Sequence, residues 1–533
     1  MGEEEPEIDP RDGAGRLPGR LVWALLAVAV AAGAWLRFSV FGQSLVGDEL
    51  STLWIVREHG LGGTLDFVAG DGEITPPLYF VLAWVSSRID SAPEMVRLPS
   101  LLAGLGSLPL YYVLGKRLFG PQAARIALAV AALSPILVYF SAYGRAYGLL
   151  ILLLLLSTVT MLRAADTGLT RWWIAYAAAS CLAMYSHYTA AFVLLAQLLW
   201  LLWYLPEARK PALAANLGAA ALYLPWVPSL IADSDSPTTP ILEALQGTGF
   251  EAKRVALEQL LFWQIEAGDW SLGGRWDAAL VAAGVLVALI VVGVALLRSD
   301  RPGRFRPDPG LVLAVGVALA TPVGALLLGL VSTDIFGGRN LGPSWVAIPL
   351  LVGALLAACG PVWRIFCMAL VGAGLLAGSV QLADNGRTGF RYEDAARLID
   401  GRATAGDTVI DASHLTPVPL TPLDAYLDFD GPQFPLGLQS GEPPFLPGTP
   451  VPDPGQEWAR AFDSGGTVFV VTLVGGQSLA GDGSLSLAGR ELEIPAGWQV
   501  KEQQTFDGIY PLTVTVVERV PEGSGDDDPE SDQ

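Results

Sequence analysis

Leu21-Val22-Trp23-Ala24-Leu25-Leu26-Ala27-Val28-Ala29-Val30-Ala31-Ala32-Gly33-Ala34-Trp35-Leu36-Arg37-Phe38-Ser39-Val40 is the first long apolar run of the chain, and two adjacent carboxylates, Asp48-Glu49, stand just beyond it. A helix of about 20 residues matches the ~30 Å hydrocarbon core of a bilayer. No small-residue cleavage site follows, so the run reads as an anchor and not as a signal peptide. Carboxylates at a membrane face are costly to desolvate and need a functional reason to be there. A helix start, Thr75-Pro76-Pro77-Leu78-Tyr79-Phe80, comes soon after them.

Long apolar runs recur along most of the chain, without an internal sequence repeat. Of 533 residues, 52% are hydrophobic and only 16% are charged; the mean hydropathy is +0.46. That composition is a polytopic membrane protein. The apolar runs stop near residue 383. From Asn385 to Gln533 there are 24 Asp and Glu against 8 Lys and Arg, −16 of the total −20. The acidity therefore belongs to the C-terminal segment, and it argues against nucleic-acid binding, which needs a basic face. Cys181, Cys359 and Cys367 all lie in apolar runs without ligand spacing and read as buried structural thiols.

Lys and Arg in short loops mark the cytoplasmic side. Spans near 21–41, 97–115, 121–140, 146–163, 172–187, 188–205, 211–231, 276–298, 309–331, 342–360 and 363–383 put every basic cluster inside. The fold class expected is thus an α-helical polytopic membrane protein of about eleven spans with a small extracytoplasmic α/β domain at its C-terminus. Residues 1–20 read as a disordered cytoplasmic tail and 21–384 as the membrane module, with outer loops at 43–96 and 232–275. Residues 385–520 form the α/β domain, and 521–533 a solvated acidic end. Within that domain a helix is expected at Tyr392–Asp400, and strands at Thr408–Ile410, Thr467–Val474 and Leu512–Val520, with Pro417–Pro454 as loop. The expected location is a prokaryotic plasma membrane, with the N-terminus in the cytoplasm.

Two segments test this layout. Pro76 to Ser87 is apolar but spans only ~18 Å as a helix; a crossing there would turn every later basic cluster outward, so it reads as a juxtamembrane or re-entrant helix. Residues 250–265 mix charged and apolar residues at helical spacing and read as an amphipathic surface helix, either covering a site or filling a long loop.

Charge counting places Asp48, Glu49, Glu73, Tyr143, Arg145, Tyr147, His187, Asp334 and Arg339 at one membrane face. Alone, each has a plainer reading: Arg145 as the partner of a headgroup phosphate, His187 as an interfacial structural histidine, Asp334 as loop solvation. Their convergence on one face is what asks for a function.

Six motifs stand in order: Gly47-Asp48-Glu49, Glu73-Ile74-Thr75-Pro76-Pro77-Leu78-Tyr79-Phe80, Arg97-Leu98-Pro99-Ser100, Ser134-Pro135 through Tyr139-Phe140-Ser141-Ala142-Tyr143-Gly144-Arg145-Ala146-Tyr147, Ser186-His187-Tyr188, and Gly338-Arg339-Asn340-Leu341. Over about residues 20–360 the chain resembles the family 39 type of GT-C glycosyltransferases, which includes protein O-mannosyltransferases and the lipid A aminoarabinose transferase. The resemblance implies an inverting transferase that uses a polyprenyl-phosphate sugar and hands it to a glycan, lipid or protein acceptor. It maps the family's first-loop acid to Asp48, as general base, with Glu49 the adjacent acid of the same motif, so that Asp48 and Glu49 are the catalytic candidates. It puts Arg145 and Arg339 near the carrier phosphate, and Glu73, Tyr79, Tyr143, Tyr147 and His187 among the substrate-binding candidates. Thr75 stands where some relatives carry His or Lys, and Tyr143-Gly144 where Glu-Ala is common. Three nearby acids could hold a divalent metal, since hard cations favour oxygen ligands, but the resemblance to the mannosyltransferase branch argues against an obligatory one, so no cofactor is expected.

The residue types suit that chemistry. An acceptor hydroxyl loses a proton as it attacks, and a placed carboxylate can take it, for ~10²–10⁴-fold in rate. The phosphate leaves without protonation, its charge met by the forked donors of arginine. Two other classes are open on sequence alone. A transporter of lipid-linked sugars calls for polar residues near mid-span and broken helices in matching halves, whereas this chain keeps its acids in loops. A non-catalytic scaffold would be indifferent to the loss of Asp48.

Overall fold

The computed structural model describes residues 19–45, 47–70, 73–234, 249–262, 276–298, 308–384, 390–413, 420–436, 453–473, 484–487, 490–508 and 510–520. Of the tail expected at 1–20, residues 1–18 lie outside those described, while Gly19 and Arg20 already belong to the first helix; the tail expected at 521–533 lies outside them altogether.

The eleven apolar segments fall on twelve helices: α1 (Gly19–Phe41), α5 (Leu98–Leu133), α6 (Pro135–Ser141), α7 (Tyr147–Thr167), α8 (Thr170–Ser186), α9 (Ala190–Tyr204), α10 (Arg209–Tyr223), α11 (Val227–Ser234), α13 (Trp276–Leu297), α14 (Pro309–Leu328), α15 (Ile348–Ala358) and α16 (Pro361–Ala383). Among the described residues, seven helical stretches are long and apolar enough to cross a membrane, so this is a multi-pass membrane protein. The difference from eleven has two sources. First, the segment 97–115 and most of 121–140 run on within Pro93–Leu133, interrupted only at Gly120 (φ 87°), with Pro121 opening the second part, and the end of 121–140 falls in α6. Second, α8, α9 and α15 are only 17, 15 and 11 residues long. The spans have the look of lipid-facing helices: on α13, Leu286, Leu289, Ile290 and Leu296 are all exposed. A helix apolar on every side belongs in a bilayer.

The chain packs into two compact units. One holds residues 1–39, 100–230 and 239–381 and contains most of the membrane helices. Its interior includes an unexpected feature. Arg37, 1% exposed, donates to the carbonyls of Gly33 (2.8 Å), Ala132 (2.8 Å) and Ala131 (3.0 Å) and to the Ser141 hydroxyl (3.0 Å). Pro135 cannot continue α5, so the carbonyls of its last turn lose their helical partners. Arg37 takes two of them, and the Ser379 hydroxyl takes the Leu133 carbonyl at 2.8 Å. A cation at a helix C-terminus also meets the negative end of the helix dipole.

The other unit joins residues 40–99 and 231–238 to 382–533. This cuts across the linear boundaries expected from sequence, because the first loop, residues 40–99, packs with residues 382–533. The loop carries α2 (Asp48–Glu58), α3 (Leu61–Ala69) and α4 (Leu78–Ser86). At 9 residues α4 spans ~14 Å, too short to cross. The C-terminal part contains α17 (Tyr392–Asp400), α18 (Pro454–Ala461) and strands β1 (Thr408–Asp411), β2 (Gln433–Pro435), β3 (Val468–Leu473), β6 (Trp498–Phe506) and β7 (Leu512–Arg519). The sheet order is β2-β1-β3-β7-β6, with β1 parallel to both β2 and β3 and the rest antiparallel. A separate hairpin pairs β4 (Ser484–Leu487) with β5 (Arg490–Glu493).

Alternation along the strands covers both sheet faces, as a period of two requires. Val409, Phe469, Val471 and Val514 pack with α17; Ile410, Val468, Val470 and Val517 pack with Trp458 of α18. The expected helix and three strands are present. Sequence reading did not anticipate β6, the hairpin or the short β2, which falls within the stretch 417–454 assigned to loop.

Candidate functional site

The first-loop residues owe their positions to one arginine. Gly47 adopts φ 53°, a left-handed backbone that glycine enters without a Cβ clash, and α2 starts at the next residue. Asp48 and Glu49 thus occupy the first turn of a helix, where carboxylates meet the positive end of the dipole. The two then diverge. Asp48 is half-buried. Glu49 is 1% exposed, and Arg97 grips both of its oxygens, Nε to Oε1 at 2.7 Å and Nη2 to Oε2 at 2.6 Å. The same guanidinium donates to the carbonyls of Phe41 (2.9 Å), Gln43 and Ser44 (3.2 Å). Arg97 therefore fastens the end of α1, the linker and the first turn of α2 together. A buried pair of this kind needs its remaining donors satisfied to offset desolvation, and the linker carbonyls do that.

The other loop candidates are also tied in. Glu73 is buried, with Oε1 accepting from the Ile74 N–H at 3.1 Å. Tyr79 is buried and donates its hydroxyl proton to the Val96 carbonyl at 2.7 Å, next to Arg97. Ser86, one helix length on, donates to Met95 at 2.7 Å. Tyr79 thus anchors α4 to the segment that presents Arg97. Sequence reading placed Arg97 in a motif without giving it a role; the available signal was a lone arginine at the brink of an apolar run.

The second group lies in the other unit. Tyr139, Tyr143 and Tyr147 form a ladder, with centroids 4.9 Å apart for the first pair and 6.1 Å for the second, the latter 19° from parallel. Phe140 stacks on Tyr147 at 5.2 Å, and His187 tilts against it at 5.5 Å. Arg339 donates from Nη1 to the Tyr143 hydroxyl at 3.2 Å. The half-buried Arg145 acts on the imidazole of His187 through its charge, and its carbonyl accepts from the Ser100 hydroxyl at 3.0 Å. His187 Nδ1 accepts the Thr189 N–H at 3.3 Å and lies 2.9 Å from its hydroxyl. That bond assigns the ring proton of the neutral imidazole to Nε2. Five sequence candidates, Tyr143, Arg145, Tyr147, His187 and Arg339, thus come together around one aromatic ladder.

Asp334 is engaged elsewhere. The charged–apolar segment at 250–265 is helical over α12 (Phe250–Phe262); residues 263–265 lie outside the described part. Lys253 of α12 pairs with Asp334 at 2.5 Å. Trp345 Nε1 donates to the Leu260 carbonyl at 3.0 Å. A Cβ at Gly338 would stand 2.7 Å from that of Gln259. Helix α12 is therefore docked on the loop that carries Arg339. Among the described residues, no group of three His, Cys, Asp or Glu could hold a metal ion.

Comparison with known proteins adds the following. Residues 75–229 match the family described as dolichyl-phosphate-mannose-protein mannosyltransferase. Two proteins of Bacillus subtilis (strain 168) are similar over part of the chain. "Putative mannosyltransferase YycA" is 36% identical over 129 residues, 24% of this chain and 18% of that one. "Putative mannosyltransferase YkcB" is 38% identical over 101 residues, 19% of this chain and 14% of that one. The matched part thus spans less than a fifth of either relative. Among solved structures, ArnT from Cupriavidus metallidurans in the apo state has a TM-score of 0.52 at 17% identity, over 85% of this chain and 93% of that one. The same protein bound to undecaprenyl phosphate has a TM-score of 0.52 at 16% identity, over 94% and 98%. At that identity the likeness is one of fold. The chain has the GT-C membrane fold, as its motifs imply.

Proposed function

We propose that this multi-pass protein of the GT-C type is an inverting glycosyltransferase that moves a sugar from a polyprenyl-phosphate donor to an acceptor hydroxyl at the outer membrane face. The observation that carries the reading is the contrast within Asp48-Glu49. Two adjacent carboxylates share a helix turn: Glu49 is buried with both oxygens on Arg97, and Asp48 is half-buried at the helix start. That is the arrangement expected of a structural acid and a working one. The fold shared with ArnT, one of whose structures holds undecaprenyl phosphate, supports the donor class.

In this reading Asp48 takes the proton of the acceptor hydroxyl as its oxygen attacks the anomeric carbon. The sugar–phosphate bond breaks, and the carrier phosphate leaves as an anion. Arg145 and Arg339 stabilise its charge, Arg339 being aimed by its bond to Tyr143. The flat faces of Tyr143 and Tyr147 offer a surface on which a sugar ring can rest. Glu49 acts through position, not as a second acid. Glu73 and Tyr79 serve the loop that presents the acids. The layout that goes with this function has residues 21–384 as the membrane module, the N-terminus in the cytoplasm and the domain from 385 outside, in a plasma membrane.

Membranes carrying the wild type or Asp48→Asn, supplied with a panel of radiolabelled polyprenyl-phosphate sugars, test the reading. Incorporation from one donor that disappears in the variant supports it and names the sugar. Equal incorporation by both proteins removes Asp48 as the base. Absence of transfer from every donor by folded wild type moves the assignment to a transporter or scaffold.

A further inference from the structure

The linker just before the acid motif is held from two sides. Arg97 takes its carbonyls at Gln43 and Ser44. The C-terminal part of the same unit meets three further polar groups of the linker. The Leu45 N–H donates to the Tyr426 hydroxyl at 2.6 Å. The Glu393 N–H, from the first turn of α17, donates to the Ser44 hydroxyl at 3.4 Å. The Gln43 side-chain amide donates to the Leu382 carbonyl at 3.0 Å. Leu45 itself is fully buried, and Gln43 and Ser44 nearly so. Three consecutive residues, ending three positions before Asp48, are thus bonded to three points of the C-terminal part.

Tyr426 is the tightest of these points. Its ring is half-buried, and the charges of Glu94, Arg97 and Glu49 all bear on it. Burial first, then the nearby carboxylates, push its ionisation well above the usual phenol range, opposed by Arg97 and the Leu45 bond. It therefore stays a neutral hydroxyl and can keep accepting the Leu45 proton. Buried backbone N–H groups are almost always paired, and for Leu45 the partner comes from the C-terminal domain. The linker cannot shift toward or away from the domain without breaking that bond.

We propose that Tyr426 is a positioning residue for Asp48: through its bond to the Leu45 N–H, the C-terminal domain fixes where the general base stands. This rests on the assignment of Asp48 as the base. The domain then contributes to transfer without touching the sugar or its carrier.

The test uses the full chain in membranes or nanodiscs. Tyr426→Phe keeps the ring and deletes only the acceptor oxygen. The expected result is a kcat lower by about ten- to a hundredfold, the scale on which small misplacements act, with the donor KM within about twofold of wild type. Amide exchange in a peptide covering residues 43–50 speeds up, while exchange in α4 is unchanged. A purely structural role would change α4 and the overall melting instead. Faster exchange with unchanged kcat overturns the proposal, and so does unchanged exchange. If Tyr426→Phe does not fold, Ser44→Ala removes the neighbouring acceptor and must show the same split between kcat and KM. Wild-type protein without Asp48-dependent transfer sinks the functional reading and the positioning role with it. Wild-type transfer with an indifferent Tyr426→Phe sinks the positioning role alone.

Discussion

At the scale of single residues, Arg97 and Gly338 make the sharpest demands. Arg97→Met leaves Glu49 buried without its partner, a loss of about 3–5 kcal/mol for a broken buried pair. The variant is expected to melt well below wild type and to lose transfer, whereas Asp48→Asn loses transfer at nearly unchanged melting temperature. Melting curves of both proteins in the same detergent, beside transfer assays, check this contrast; equal melting of the two would place Arg97 outside the frame of the loop. Gly338→Ala forces its new methyl group against the Cβ of Gln259. A Cβ cannot swing aside as a side-chain tip can, so α12 or the Arg339 loop must move. The expected outcome is a severalfold rise in donor KM, read from a donor titration; an unchanged KM would separate Arg339 from donor binding. The acid pair and the arginines were visible as residue types. The split between Asp48 and Glu49 was not, because it depends on Arg97, which lies 48 positions from Glu49.

At the scale of elements, the chain's apolar periods announced the helices, and its turns explain where they end. Gly120 and Pro121 mark the break inside α5, and Pro135 the start of α6, in plain view in the sequence. The role of Arg37 was hidden, since an arginine inside an apolar run gives no sign of whether it meets lipid, water or carbonyls. Arg37→Leu suits a hydrocarbon environment by composition and still is expected to destabilise, because it strands carbonyls at the end of α5. Arg37→Lys keeps the charge but not the fork, and should fall between. Thermal stability of the three proteins in one detergent decides the order; a Leu variant as stable as wild type would deny the staple. The missed strand β6, Trp498-Gln499-Val500-Lys501-Glu502-Gln503-Gln504-Thr505-Phe506, is an edge strand with mostly exposed side chains. It needs no apolar alternation, so periodicity could not find it. The central strands β1, β3 and β7 are apolar on both faces and were easily read.

At the scale of the whole molecule, the expected linear division into membrane module and outer domain did not foresee that residues 40–99 pack with residues 382–533. Hydropathy reports which segments prefer lipid and says nothing about which loops meet. Orientation has a direct test: a periplasm-active reporter fused after residue 384 is expected to be active, and a cytoplasmic signal would reverse the sidedness of the proposed site. The C-terminal domain also has a pH signature. Burial raises the Asp411 carboxyl above its usual range, against opposing bonds from Ser413 and Thr421. The native state therefore holds this proton more tightly than the unfolded chain. Its contribution to stability is fully present below the unfolded value near pH 3.9 and declines as pH rises through the folded one. Asp411→Asn removes that decline, so its melting temperature should gain on wild type from acid toward neutral pH; parallel curves would show that Asp411 carries no such burden.

The bond between Leu45 and Tyr426 joins residues 381 positions apart. At ~5–20 residues per second, the ribosome makes the acid motif about 20–75 seconds before it makes the tyrosine. Throughout that interval the first loop has its acids but not the hydroxyl that fixes their linker. On the proposed assignment of Asp48 as the base, a nascent or prematurely ended chain emerges with that base unset. The proposed transfer then has to wait until the segment that carries Tyr426 packs with residues 40–99.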